Sequence, residues 1–152
     1  NAGKYNVLGH FLRNWQHMNG GVNPKLSWNK IEEMINALLD KGFNVNEPQG
    51  KSGETGFLLC CGAQSWILAI YLISKGADYS VSNSYLYPDY DMYGILCANQ
   101  YFSPEAKMQV LKILETVIKS LGSPYGEFKK PENLYVCPLT GEKREFNQER
   151  FG

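Results

Sequence analysis

The chain has 152 residues, 15 basic against 15 acidic side chains, and 13% aromatic residues. That length suits one domain able to bury about two-thirds of its unfolded surface. The balanced charge argues against nucleic acid as a partner, and the longest apolar run, the eight residues Trp66 to Ile73, falls well short of the about 18 a membrane helix needs.

Asn1 and Ala2, with no initiator Met, read as the remnant of a cleaved tag, so the native start is missing and a removed signal peptide stays compatible with the sequence. Val7, Leu8, Phe11, Leu12 and Trp15 then recur at three- and four-residue steps after Asn6, a suitable N-cap, which predicts a first helix from 6 to about 18. Asn19 to Pro24 interrupt it. Helix resumes with Ser27 or Asn29 as cap, Glu32 and Glu33 in its first turn, and Ile31, Met34, Ile35, Leu38 and Leu39 as its apolar stripe, and Gly42 ends it as a C-cap glycine does.

Val45 to Glu54 hold Pro48, Gly50 and Gly53 among polar residues and predict an exposed turn. The stretch from Thr55 to Ile73 is strongly apolar except at Gly62 to Ser65, which predicts two helices, about 56–63 and 66–74, apolar on nearly all sides. Tyr79 to Asp91 form a second turn-rich segment. Two more helices follow, about 92–99 and 104–121. The second begins at Pro104 after Ser103, carries Met108, Leu111, Ile113, Leu114, Val117, Ile118 and Leu121 as its stripe, and stops at Gly122 and Pro124. Beyond Pro124 periodicity fades, and a tail is expected that packs partly around Phe128, Leu134, Tyr135 and Val136 and frays near Gly152.

Lys75, Gly76, Ala77 and Asp78, which close one apolar helix, have a weaker copy 34 positions earlier at Lys41, Gly42, Phe43 and Asn44. A period in the low thirties points to a stacked array of helix pairs. Gly53 to Ser80 resembles an ankyrin repeat: Gly53 and Thr55 fit its opening, Gly56, Phe57 and Leu58 stand for Pro-Leu-His, and Cys60 and Cys61 replace the two small alanines. Trp66, Leu68, Leu72 and Ile73 supply the second helix's core face, and Gly76, Ala77 and Asp78 the closing loop. Met92 to Cys97 resemble another repeat-opening helix, 36 positions after Gly56 to Cys61, and the units on either side of the central one are irregular. The resemblance covers about residues 5–123 as three repeats. It implies an all-α helix-pair solenoid over 3–123, with an irregular C-terminal extension over 124–152 packing partly on the last repeat.

Nothing in the chain points firmly to catalysis. A hydrolase needs a thiolate beside a base, yet Cys60, Cys61 and Cys97 fall at packing positions where a buried thiol is poorly reactive. His10 and His17 share a helix face without a supporting metal ligand, and Cys137 stands alone. Asn83, Asp89 and Asp91 lack the closing Glu of a calcium loop, and no glycine-rich loop follows a strand. No metal and no cofactor are expected, and the free thiols suggest a cytoplasmic, bacterial protein.

Five tyrosines, Tyr79, Tyr85, Tyr87, Tyr90 and Tyr93, crowd the second turn, where some must face outward beside Asp89 and Asp91. Exposed Tyr with polar neighbours is the composition of binding hot spots. The resemblance implies partner contact through the inter-repeat turns and the inner helix face, hence through Glu47, Gln49, Lys51 and Glu54 in the first turn and Tyr85, Tyr87, Asp89, Tyr90 and Asp91 in the second. The expected function is a monomeric, non-enzymatic module binding another protein. An immunity or antitoxin protein neutralising a cognate toxin is the alternative, and a cysteine-dependent hydrolase on the same scaffold a third.

Overall fold

A computed structural model describes residues 28–50, 53–83, 91–99 and 101–129. Among them are five helices and no strand: α1 Trp28–Asp40, α2 Gly56–Gly62, α3 Trp66–Ser74, α4 Met92–Ala98 and α5 Pro104–Ser120. The protein is therefore all-α over the described residues, with the last four helices within about one residue of their expected bounds. The expected helix at 6–18 and the cap Ser27 lie outside those residues. The chain divides into two compact units, Asn1–Ala77 and Asp78–Gly152.

In the first unit α1 buries Ile31 and Ile35 completely, while Met34, expected in the stripe, is 39% exposed. The helix starts at Trp28, so Asn29 is helical rather than a cap and Glu32 and Glu33 lie past the first turn. Thr55 caps α2, its hydroxyl accepting from the Leu58 amide at 3.3 Å. Phe57, Leu58, Cys60 and Cys61 on α2 pack with Trp66, Leu68, Ala69, Leu72 and Ile73 on α3 to form the core of this unit. Because α3 is apolar almost throughout, one of its large side chains is left outside: Ile67 is 72% exposed.

The ends of α1 and α3 share one device. After α3 the Gly76 amide donates to the Ile73 carbonyl at 3.0 Å and the Ala77 amide to Leu72 at 2.9 Å, with Gly76 at φ +96°. After α1 the Gly42 amide donates to Leu39 at 3.0 Å and Phe43 to Leu38 at 3.2 Å, again with φ +96°. This is the Schellman closure, in which a left-handed residue returns two orphan carbonyls to the hydrogen-bond inventory. The two closures stand 34 positions apart, so the recurrent Lys-Gly is a recurrent backbone motif. It continues into matching side-chain turns: Asn44 Oδ1 accepts from the Asn46 amide and Asp78 Oδ1 from the Ser80 amide, both at 2.9 Å.

In the second unit Asp91 caps α4 as Thr55 caps α2, its carboxylate accepting from the Gly94 amide at 2.8 Å. The two caps are 36 positions apart and both helices are seven residues long. Helix α5 begins at Ser103, whose hydroxyl accepts from Ala106, and closes on Gly122 and Ser123 in the same Schellman manner. Its inward line is Lys107, Leu111, Leu114 and Ile118; Met108, Ile113 and Leu121 are at least 40% exposed. The Lys107 ammonium is buried and donates to the Cys97 carbonyl at 2.9 Å, a cation placed at the C-terminus of α4 where the helix dipole favours it.

Candidate functional site

The first inter-helix turn is a small braced hairpin. Gln49 and Glu54 form an isolated antiparallel bridge, with the Gln49 amide donating to the Glu54 carbonyl at 2.7 Å. Gly50 at φ +68° and Gly53 at φ +71° turn the chain between them, which their freedom from a Cβ permits. At its base Glu47 donates its amide to the Asn44 carbonyl, and Asn46 Nδ2 donates to the Gly76 carbonyl at 3.1 Å. That last bond joins the base of the hairpin to the closing loop of α3.

Four of the nine expected contact residues, Glu47, Gln49, Glu54 and Asp91, lie among the described residues. Glu47 is exposed beside exposed Pro48, and Glu54 is half-buried at the bridge. Gln49 departs from the expectation of an exposed turn: it is 3% exposed, and its amide group donates to the Glu47 carbonyl at 3.3 Å, inside the hairpin's own framework. Asp91 is half-buried and its carboxylate is engaged as the α4 cap. Lys51, Tyr85, Tyr87, Asp89 and Tyr90 lie outside the described residues.

The tyrosines at the two ends of the second turn are not displayed outward. Tyr79 is 2% exposed, and its hydroxyl donates to the Gly126 carbonyl at 2.6 Å while accepting from the Tyr125 amide at 3.1 Å. Tyr93 is half-buried and accepts from the Lys129 amide at 2.9 Å. Its phenol is pushed above its ordinary range first by burial, against the lowering effect of the Lys129 bond, with further increments from the charges of Asp91 and Tyr79.

A second surface of the first unit escaped sequence reasoning. Trp28 and Tyr71 meet edge to face at 5.5 Å, the Tyr71 hydroxyl donates to Asn36 Oδ1 at 2.8 Å, and the Lys75 ammonium sits 5.4 Å from the Tyr71 ring centre. The Trp28 indole donates to Glu32 at 2.7 Å. Residues 28, 32 and 36 follow four-residue steps on α1, as 67, 71 and 75 do along α3 and its cap; that spacing was the available signal, but only the pairing of the two helices turns it into a patch. Tyr101, 91% exposed between α4 and α5, was likewise missed.

Cys60, Cys61 and Cys97 are buried, and burial pushes the Cys60 thiol far up, so that it stays protonated. His10, His17 and Cys137 are outside the described residues, among which no group of three His, Cys, Asp or Glu converges to hold a metal. Also among the described residues, no helix is long and apolar enough to cross a membrane. No family model, curated protein or solved structure matches the chain.

Proposed function

We propose that the chain is a non-enzymatic protein-binding module of ankyrin-repeat type, contacting its partner through the tip of the 49–54 hairpin. The observation that carries this reading is the brace: a bridge at Gln49 and Glu54, two left-handed glycines, and the Asn46 bond to the Gly76 carbonyl. Residues 46–50, 53 and 54, held in this way, lose little entropy on binding, so their exposed groups contribute to affinity rather than to ordering. The repeat-type reading draws support from the paired closures at Gly42 and Gly76, the matching turns at Asn44 and Asp78, and the matching caps at Thr55 and Asp91.

Glu47, exposed at the base of the hairpin, and Glu54, half-buried at its bridge, give this turn acidic contact groups and suit a partner with a basic face. The test is calorimetry of a captured partner with the wild-type chain and with Glu47→Lys/Glu54→Lys. Reversing two charges in a contact should weaken binding at least about tenfold, near 1.4 kcal/mol. Equal affinity for both chains removes the hairpin from the interface.

A further inference from the structure

The segment that follows α5 meets the rest of its unit through both its backbone and its aromatic side chains. The Tyr79 hydroxyl takes the Gly126 carbonyl and the Tyr125 amide, and the Tyr93 hydroxyl takes the Lys129 amide. Two ring contacts accompany these bonds: Tyr125 meets Tyr79 edge to face at 5.6 Å, and Phe128 meets Tyr93 at 5.5 Å. Phe128 also lines a groove of about 380 Å³ on α5, with Met108, Leu111, Lys112 and Glu115. Gly126, at φ +112°, lets the chain turn between the two rings, and its amide donates to the Ser123 carbonyl at 3.0 Å.

Receptors for extended peptides work in this way, with main-chain bonds for affinity and pockets for a few side chains. The occupant lies on the surface: Pro124, Tyr125, Gly126, Glu127 and Lys129 are all exposed. We propose that Tyr79, Tyr93 and the α5 surface beside this groove form a binding site for peptides of the pattern aromatic-Gly-x-aromatic, occupied here by the chain's own Tyr125-Gly126-Glu127-Phe128, with Phe128 forming one wall of the groove. The site responds to a partner carrying that pattern by exchanging the internal segment for it. A short tether gives the internal segment an effective concentration on the order of millimolar, which keeps the site closed to weak competitors. This inference uses only the second unit and stands apart from the hairpin reading.

The probe is a labelled Ser-Pro-Tyr-Gly-Glu-Phe-Lys-Lys peptide, titrated to millimolar concentration against full-length chain and followed by fluorescence anisotropy. Gly126→Val strains the internal segment at φ +112°, a backbone conformation that L side chains rarely adopt, at a position where a Cβ itself meets nothing within 4 Å. It should bind the peptide at least about tenfold more tightly than wild type does, as loss of the tethered competitor requires. Phe128→Ala should act in the same direction, and adding Tyr79→Phe to either variant should remove most of the gain. The proposal fails if the variants bind no better than wild type, if a peptide with Tyr and Phe replaced by Ala binds equally, or if Tyr79→Phe changes nothing. Loss of helical circular dichroism in both Gly126→Val and Phe128→Ala also overturns it, since the segment would then belong to the core.

Discussion

Replacing Gly76 by Ala isolates the helix closure on which the repeat reading depends. Gly76 has φ +96° and its added Cβ would meet nothing within 4 Å, so the change acts on the backbone and not on packing. A residue with a Cβ pays about 1–2 kcal/mol in the left-handed region, and the stiffer unfolded chain returns about 0.4–1. The net expectation is roughly 1 kcal/mol of destabilisation, or a fall of about 2–4 °C in Tm for a chain of this size. Gln64 provides the internal control. It holds φ +62° in the corresponding closure after α2, where the Gln64 amide donates to Cys61 and the Ser65 amide to Cys60. Gln64→Gly relieves a similar strain but gives up the Trp66 indole bond to Gln64 Oε1, worth about 0.5–1.5 kcal/mol, and loosens the unfolded chain. Its net effect should lie within about 0.5 kcal/mol of zero. Urea titrations followed by Trp fluorescence and far-UV circular dichroism would measure both. A neutral or stabilising Gly76→Ala would show that the residue is not left-handed in solution and would refute the shared-closure argument.

Other expectations follow from burial and charge. Leu72→Ala, at a fully buried position, should cost about 2–5 kcal/mol in a denaturant titration, whereas Ile67→Ala, five residues earlier and 72% exposed, should change stability by less than about 0.5. Alkylation at pH 8 should leave Cys60 unmodified in the folded chain and label it only at the rate of unfolding, since burial holds its thiol protonated. Tyr93 has a folded pKa raised above its ordinary 10.0, so the folded state holds the proton more tightly. Its contribution is full below pH about 10 and is lost as pH rises through the raised folded value. Stability measured across that window should fall less steeply in Tyr93→Phe than in wild type.

The signals readable in the sequence were those that act within a few residues. Pro104 in a first turn after Ser103, and glycines at 42, 76 and 122, each report a local backbone state, which is why the helices from Gly56 onward fall where the sequence places them. What was hidden depends on contacts across long stretches of chain. Tyr79 turns inward because its partners are at 125 and 126, and a cluster of tyrosines carries no mark of that. Gln49 looks like any polar turn residue until its bridge to Glu54 withdraws it from solvent. On α5 a list of apolar residues does not say which line faces in; Lys107 joins the buried line and Ile113 leaves it, because packing chooses one stripe from a helix with apolar groups on more than one side.

Hydrogen exchange of the chain with and without a captured partner tests the central claim most directly, because it reports the contact without altering any residue. The account predicts slowed exchange at amides between Asn46 and Glu54, with the α5 amides from Met108 to Glu115 unchanged. Slowed exchange on α5 with no change at the hairpin would contradict it.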